Sequence, residues 1–375
     1  MNLTDLLNYF GGGFLHTIVP FLFVLTIIVF FHELGHYLVG RWCGVRVSTF
    51  SIGFGPELIG WNDRSGTRWR IALLPLGGFV RFFGDADAAS TPDHEAAAEF
   101  SAEERAVSFI FQPVWKRFLI VLAGPLASIL LGVLIFSSNA YLNGRVVLIP
   151  KVASVVPESA AAEAGFETGD IIISVDGTEV ESFVDVQRIV GMYAGSPLTF
   201  MVKRDGALLP LTATPKLQLR ESMVGTRRMG VLGIAAARDE STLVVKQETL
   251  LGAVGFGFRQ SWSVIESSGT FLTGLVSGRA SPDQLSGPVG IAKMSGEVAK
   301  LGFGALIGFA GLLSVSIGFL NLLPIPMLDG GHLVLFAIEA VRKRALDQKV
   351  TEIIFRVGLA LILCLTLFSL YIDLR

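Results

Sequence analysis

The chain has 375 residues, 51% of them apolar and only 17% charged, with a mean hydropathy of +0.61. Soluble chains carry about 25% charge, so this deficit excludes a disordered protein and argues against an ordinary cytosolic enzyme. A net charge of −2 leaves no basic stripe, so no nucleic-acid partner is expected. The two cysteines, Cys43 and Cys364, cannot make a disulfide framework or a Cys-rich zinc site; in apolar surroundings they read as small buried hydrophobes.

The first apolar run, Phe14 to Phe31, is interrupted by the polar residues His16, Thr17 and Thr26. No Lys or Arg precedes Arg41, so it lacks the basic region of a signal peptide and reads as a transmembrane helix within residues 1–47. Residues 48–84 alternate β-like runs with turns. Ser48 to Phe54 comes first, 62–66 is a turn, and Thr67 to Leu74 and Phe79 to Phe83 flank Gly77-Gly78, a pair suited to a tight hairpin. That hairpin is apolar on both strands, so a membrane-associated sheet is expected. Residues 85–110 are acidic and Ala-rich, a mobile linker in which His94 is an ordinary surface histidine.

Phe118 to Phe136 is uncharged and supplies a second span within 111–140. Residues 144–236 read as an inserted soluble α/β module: a β-rich stretch from Val146 to Val156, a short helix opened by Pro157-Glu158-Ser159, a strand at 171–175, a helix at 183–193, then strands at 198–202 and 208–213. Residues 249–300 hold an amphipathic segment suited to the membrane surface and a Gly-Pro break at 287–288. Leu301 to Leu323 is a third span, within 301–332, and Gly304 with Gly308 forms a pair that permits close helix contact. Val357 to Ile372 is a fourth, within 333–375. The fold class expected is a polytopic α-helical membrane protein of about four spans. Arg41, Arg46, Arg105, Lys116 and Arg117 lie between the first two spans, and Arg342, Lys343, Arg344 and Lys349 between the last two. Positive residues favour the cytoplasm, which places both termini and the stretch from Tyr141 to Lys300 on the other side.

The chemistry centres on His32-Glu33-Leu34-Gly35-His36. Histidines at i and i+4 share one helix face and can reach one metal ion; Glu33 beside them is placed to take a proton from water. Charged and polar groups in an apolar helix are costly without a function. A catalytic zinc takes three protein ligands. The best third is Asp329, in Asn321-Leu322-Leu323-Pro324-Ile325-Pro326-Met327-Leu328-Asp329-Gly330-Gly331-His332, at the same side as His36. His332 and Glu339 are rivals.

HExxH in the first span, an LDG acid after a later span, and "PLGGFVRFFGD", "PVWKRFLIVLAGPLAS", "SGPVGIAKMS" and "NLLPIPMLDGGHLVLF" together resemble the site-2 protease family of intramembrane zinc metalloproteases, closest to its bacterial regulator-of-sigma-E type. The run "PESAAAEAGFETGDIIISVDG" resembles a bacterial PDZ domain, which binds a peptide or chain end beside a sheet edge. The resemblance implies that His32, His36 and Asp329 bind Zn2+ and that Glu33 is catalytic. It also implies that Gly77, Gly78, Phe79, Val80 and Asn321 hold the substrate as an extended strand. The implied partners are the lipid bilayer and a single-span protein, an anti-sigma factor or remnant signal peptide, cut in regulated intramembrane proteolysis at the cytoplasmic side of a bacterial inner membrane. Two departures stand out. The family's GPxxN pattern ends in Ser128, and only one PDZ module fits where two are common. Two alternatives remain: a quality-control membrane metalloprotease of another class, whose site is completed by a downstream Glu, and a non-catalytic PDZ scaffold.

Overall fold

A computed structural model describes residues 14–85, 98–222, 225–237, 242–278, 287–344 and 347–374. In chain order its elements are α1 (Phe14–Trp42), β1 (Val47–Asn62), β2 (Arg68–Phe82), α2 (Ala102–Val107), α3 (Val114–Asn143), β3 (Arg145–Leu148), β4 (Val152–Val155), α4 (Ala160–Glu163), β5 (Ile171–Val175), β6 (Thr178–Glu179), α5 (Phe183–Met192), β7 (Leu198–Arg204), β8 (Ala207–Ala213), β9 (Lys216–Ser222), β10 (Gly225–Val231), β11 (Ile234–Ala236), β12 (Leu243–Lys246), α6 (Leu250–Val276), α7 (Pro288–Lys300), α8 (Phe303–Asn321), α9 (Asp329–Arg342) and α10 (Gln348–Leu374). Residues 86–97 of the acidic linker, His94 included, lie outside the described residues; the rest departs from a mobile linker, since Ser101 and Glu104 form a capping box that starts α2 and Phe109 is buried. The chain divides into two compact units, residues 138–253 with 269–281 forming one and the rest the other.

Among the described residues, four helices are long and apolar enough to cross a membrane: Leu15–Trp42, Val114–Asn143, Phe303–Asn321 and Lys349–Asp373. The shortest has 19 residues, which at 1.5 Å per residue reaches about 28 Å, close to the hydrocarbon thickness of a bilayer. The protein is therefore a polytopic helical membrane protein. Cys364 on α10 is exposed rather than buried, while Cys43 is buried as expected. Cys364 shares its helix with exposed leucines at 361, 363, 365 and 367, an apolar surface suited to lipid rather than to a protein core.

Small residues set the helix contacts. A Cβ on Gly311 of α8 would meet Ile135 of α3 at 2.9 Å, and one on Gly318 would meet the Pro125 carbonyl at 2.8 Å. The expected pair Gly304 and Gly308 makes no such contact, with nothing within 4 Å of either. The close approach sits further along the helix, where α3 crosses.

The sheet also differs from expectation. Gly77-Gly78 is not the tip of a two-stranded hairpin, because both glycines lie inside β2. Residues 49–52 of β1 pair with 78–81 on one side and with 68–71 on the other, and 68–71 pairs again with 59–62. The tight turn is at Asp63 to Gly66. The Asp63 carboxylate accepts the backbone N–H groups of Ser65 (2.8 Å) and Thr67 (3.0 Å), the Trp69 indole N–H (3.0 Å) and the Tyr37 hydroxyl (2.9 Å). Burial pushes this carboxyl up, but the four donors outweigh it and hold it down at about 2. The Tyr37 bond also ties the turn to α1. Phe50, Val47 and Val80 form the buried face with Phe82, Phe109 and Ile120.

The smaller unit is built on a four-stranded sheet in the order β6-β5-β7-β8, with β4 paired to β11, β3 to β12 and β9 to β10. Phe200, Ile172, Leu198, Val152, Val175 and Val186 form its core, each at most 2% exposed. Burying each such side chain contributes roughly 1.5–3 kcal/mol. Ser182 and Asp185 form a capping box that starts α5. Arg204 grips the fully buried Asp170 carboxylate with two hydrogen bonds, 2.7 and 2.8 Å. A groove of about 140 Å³ runs between α5 and residues 230–234, lined by Phe183, Val186, Val190, Leu232 and Ile234. Strands β9 to β12 were not expected from the sequence.

Candidate metal centre

Helix α1 carries His32, Glu33 and His36 on consecutive turns, and the two imidazole rings stand edge to face with centroids 4.9 Å apart. Asp329 reaches them from the other end of the chain. It opens α9, and the segment before it is built to deliver it there. Pro324 and Pro326 stop the helical ladder, and Met327 takes a left-handed conformation with φ 77°. Gly330 and Gly331 then pack directly on the backbone of residues 322–326, where a Cβ on Gly331 would lie 2.8 Å from the Pro326 Cα.

The Asp329 carboxylate lies 3.1 Å from His32 Nε2 and 3.6 Å from His36 Nε2, and the two Nε2 atoms are 3.3 Å apart. Among the described residues, His32, His36 and Asp329 are the group of three whose donor atoms all lie within 4.8 Å of one another. Helix α3 orients both rings. His36 Nδ1–H donates to the Ile120 carbonyl at 2.8 Å, which leaves its Nε2 lone pair facing the carboxylate. Pro125 has no N–H to give Val121, so the carbonyl ladder is already loosened next to Ile120. His32 Nδ1 lies 3.0 Å from Ser128 Oγ. Gly124 makes room for the His36 ring, since a Cβ there would sit within 2.8 Å of its Cδ2. Two imidazole nitrogens and one ionised carboxylate are a donor set that suits zinc with a position left open.

These groups line one cleft of about 230 Å³, together with Glu33, Gly78, Phe79, Val80, Asn321 and His332. Glu33 is half-buried and lines the cleft beside Gly78, Phe79 and Val80. Gly77 stands apart from the cleft and packs on Phe54 instead. The rival ligands are placed otherwise. The His332 ring lies against Phe355 with centroids 5.0 Å apart, outside the converging donor set. Glu339 pairs with Arg117 at 2.6 Å, and Arg117 also covers the Phe336 ring. The Ile120 carbonyl, Phe82, Phe109 and Met327 also belong to the site, although sequence reasoning assigns none of them a role there.

Comparison with known proteins agrees with this chemistry. The family model for peptidase family M50 matches residues 20–365. The chain is 48% identical over 363 residues to a protein of Mesorhizobium japonicum named "putative zinc metalloprotease", covering 96% of this chain and 99% of that one. A protein of Rhizobium meliloti with the same title is 45% identical over 361 residues, covering 96% of each chain. The metalloprotease MmpA of Caulobacter vibrioides is 42% identical over 386 residues, covering 97% and 96%. The chain thus belongs to peptidase family M50, the site-2 protease family, and is a zinc metalloprotease.

Proposed function

We propose that this enzyme cuts a peptide bond within or beside the membrane-spanning segment of a single-span protein, such as an anti-sigma factor or a remnant signal peptide, in regulated intramembrane proteolysis. The observation that carries the reading is the convergence of His32, His36 and Asp329 beside Glu33 in one cleft bordered by a β-strand. His32, His36 and Asp329 hold zinc, which supplies a Lewis acid and lowers the pKa of water. Glu33 takes the proton from the attacking water and passes it to the leaving amine. A helical substrate shields its carbonyls, so residues 78–80 pair with it as an added strand and Asn321 holds its backbone. The groove between α5 and residues 230–234 receives a peptide or chain end, in the manner of a PDZ domain, and so restricts which substrates are cut. The basic residues flanking the spans orient the site toward the cytoplasm of a bacterial inner membrane and the smaller unit away from it.

The test is cleavage of a labelled single-span substrate by the purified, reconstituted protein. Glu33→Gln is expected to abolish cleavage while retaining zinc. Equal cleavage by both proteins, or a wild type that binds no zinc, would end this reading.

A further inference from the structure

The two histidines of the metal centre are anchored differently. His36 leans on a backbone carbonyl, which only accepts, so its tautomer is fixed by the main chain. His32 leans on the side chain of Ser128, 3.0 Å from its Nδ1. Ser128 is fully buried on α3, and its own backbone carbonyl accepts the hydroxyl of Ser314 from α8 at 2.7 Å. Ser314 is also fully buried. A Cβ on Gly318, one turn along α8, would meet the Ser128 Cβ at 3.0 Å. Ser128 is therefore held from behind by α8 while its hydroxyl faces the ring in front.

From this geometry we infer that Ser128 is a positioning residue for the metal centre. Its Oγ accepts the Nδ1–H of His32, fixes the tautomer that presents Nε2, and sets the angle of the ring. This rests on the reading of His32 as a zinc ligand. The hydroxyl matters because an imidazole whose Nδ1 has no partner turns freely about its side-chain torsions and offers either nitrogen. Removing such outer partners of metal-bound histidines typically weakens metal binding 10–100-fold. Ser128 also replaces the family's Asn with the shortest side chain that can still accept this bond.

The experiment is a thermodynamic cycle on the full-length protein in detergent, titrated with Zn2+ against a competing chelator. Ser128→Ala is expected to weaken zinc binding 10–100-fold with an unchanged melting temperature of the metal-free protein. In a His32→Ala background the same substitution is expected to change zinc affinity less than twofold, since there is no ring left to orient. Co2+ loaded in place of zinc is expected to show an altered visible absorption spectrum in Ser128→Ala alone. Equal zinc affinity of Ser128→Ala and wild type overturns the inference. An equal loss in both backgrounds overturns it too, because it marks a general packing role. If His32→Ala itself binds zinc as wild type does, His32 is not a ligand, and the underlying reading fails separately.

Discussion

Gly124→Ala tests the metal centre at a position that touches no metal. The added Cβ would lie 2.8 Å from His36 Cδ2 and closer still to two other ring atoms, against about 3.4 Å at the near end of ordinary contact. The ring must retreat by more than half an ångström. Its other side is fixed by the 2.8 Å bond from Nδ1–H to the Ile120 carbonyl, so retreat breaks that bond, at about 1 kcal/mol. The substitution also raises helix propensity by roughly 0.5–1 kcal/mol, which offsets the loss. Global stability should therefore barely change while the site is displaced. A shift on the order of 1 Å in a catalytic group costs about 100-fold in rate, and a misoriented ligand costs about 10-fold or more in metal affinity. The assay is zinc affinity together with cleavage of a labelled single-span substrate, with Gly308→Ala as the control, where nothing lies within 4 Å. If Gly124→Ala keeps zinc affinity and cleavage within about threefold of wild type, the packing argument is wrong.

Asp329→Ala is expected to lose zinc, measured by metal analysis after dialysis. Glu339→Gln should keep zinc but lower the melting temperature, because it strips Arg117 of a half-buried partner worth about 2 kcal/mol, between exposed and fully buried pairs. Phe200→Ala empties the centre of the smaller unit and should cost about 3–5 kcal/mol there. Limited proteolysis should then cut within residues 145–237 while zinc stoichiometry stays at the wild-type value. For Asp170, burial raises the carboxyl but the Arg204 bonds outweigh it, so its folded value lies below its unfolded value. Its stabilisation is present above about pH 4 and fades as the pH falls through the folded value. Asp170→Asn should remove that part of the acid sensitivity, read as protease resistance of the smaller unit against pH.

The four spans were readable because an uncharged run of bilayer length is rare outside a membrane. The first helix runs past Phe31 through His32 and His36 to Trp42, within the expected 1–47 and as two histidines on one helix face require. The sheet was misread for a physical reason. A Gly-Gly pair is a strong hairpin signal when strands pair with their sequence neighbours. Here 49–52 inserts between 68–71 and 78–81, and no local pattern records a partner so far away. Strands β11 and β12 are likewise short and find their partners some 80 to 100 residues earlier. In the candidate site, His32, Glu33, His36 and Asp329 stood out because charge is scarce in these segments. The Ile120 carbonyl could not, because a backbone acceptor has no signature in a sequence.

The donor set of the metal centre joins residues almost 300 positions apart. A ribosome adds roughly 5–20 residues per second, so Asp329 follows His36 by about 15–60 s. For that interval the growing chain carries two imidazoles and Glu33 without the carboxylate that completes the set. If the proposed substrates share its membrane, the protease is made among them and acquires the last of these three candidate donors only when α8 and the turn before α9 have been synthesised.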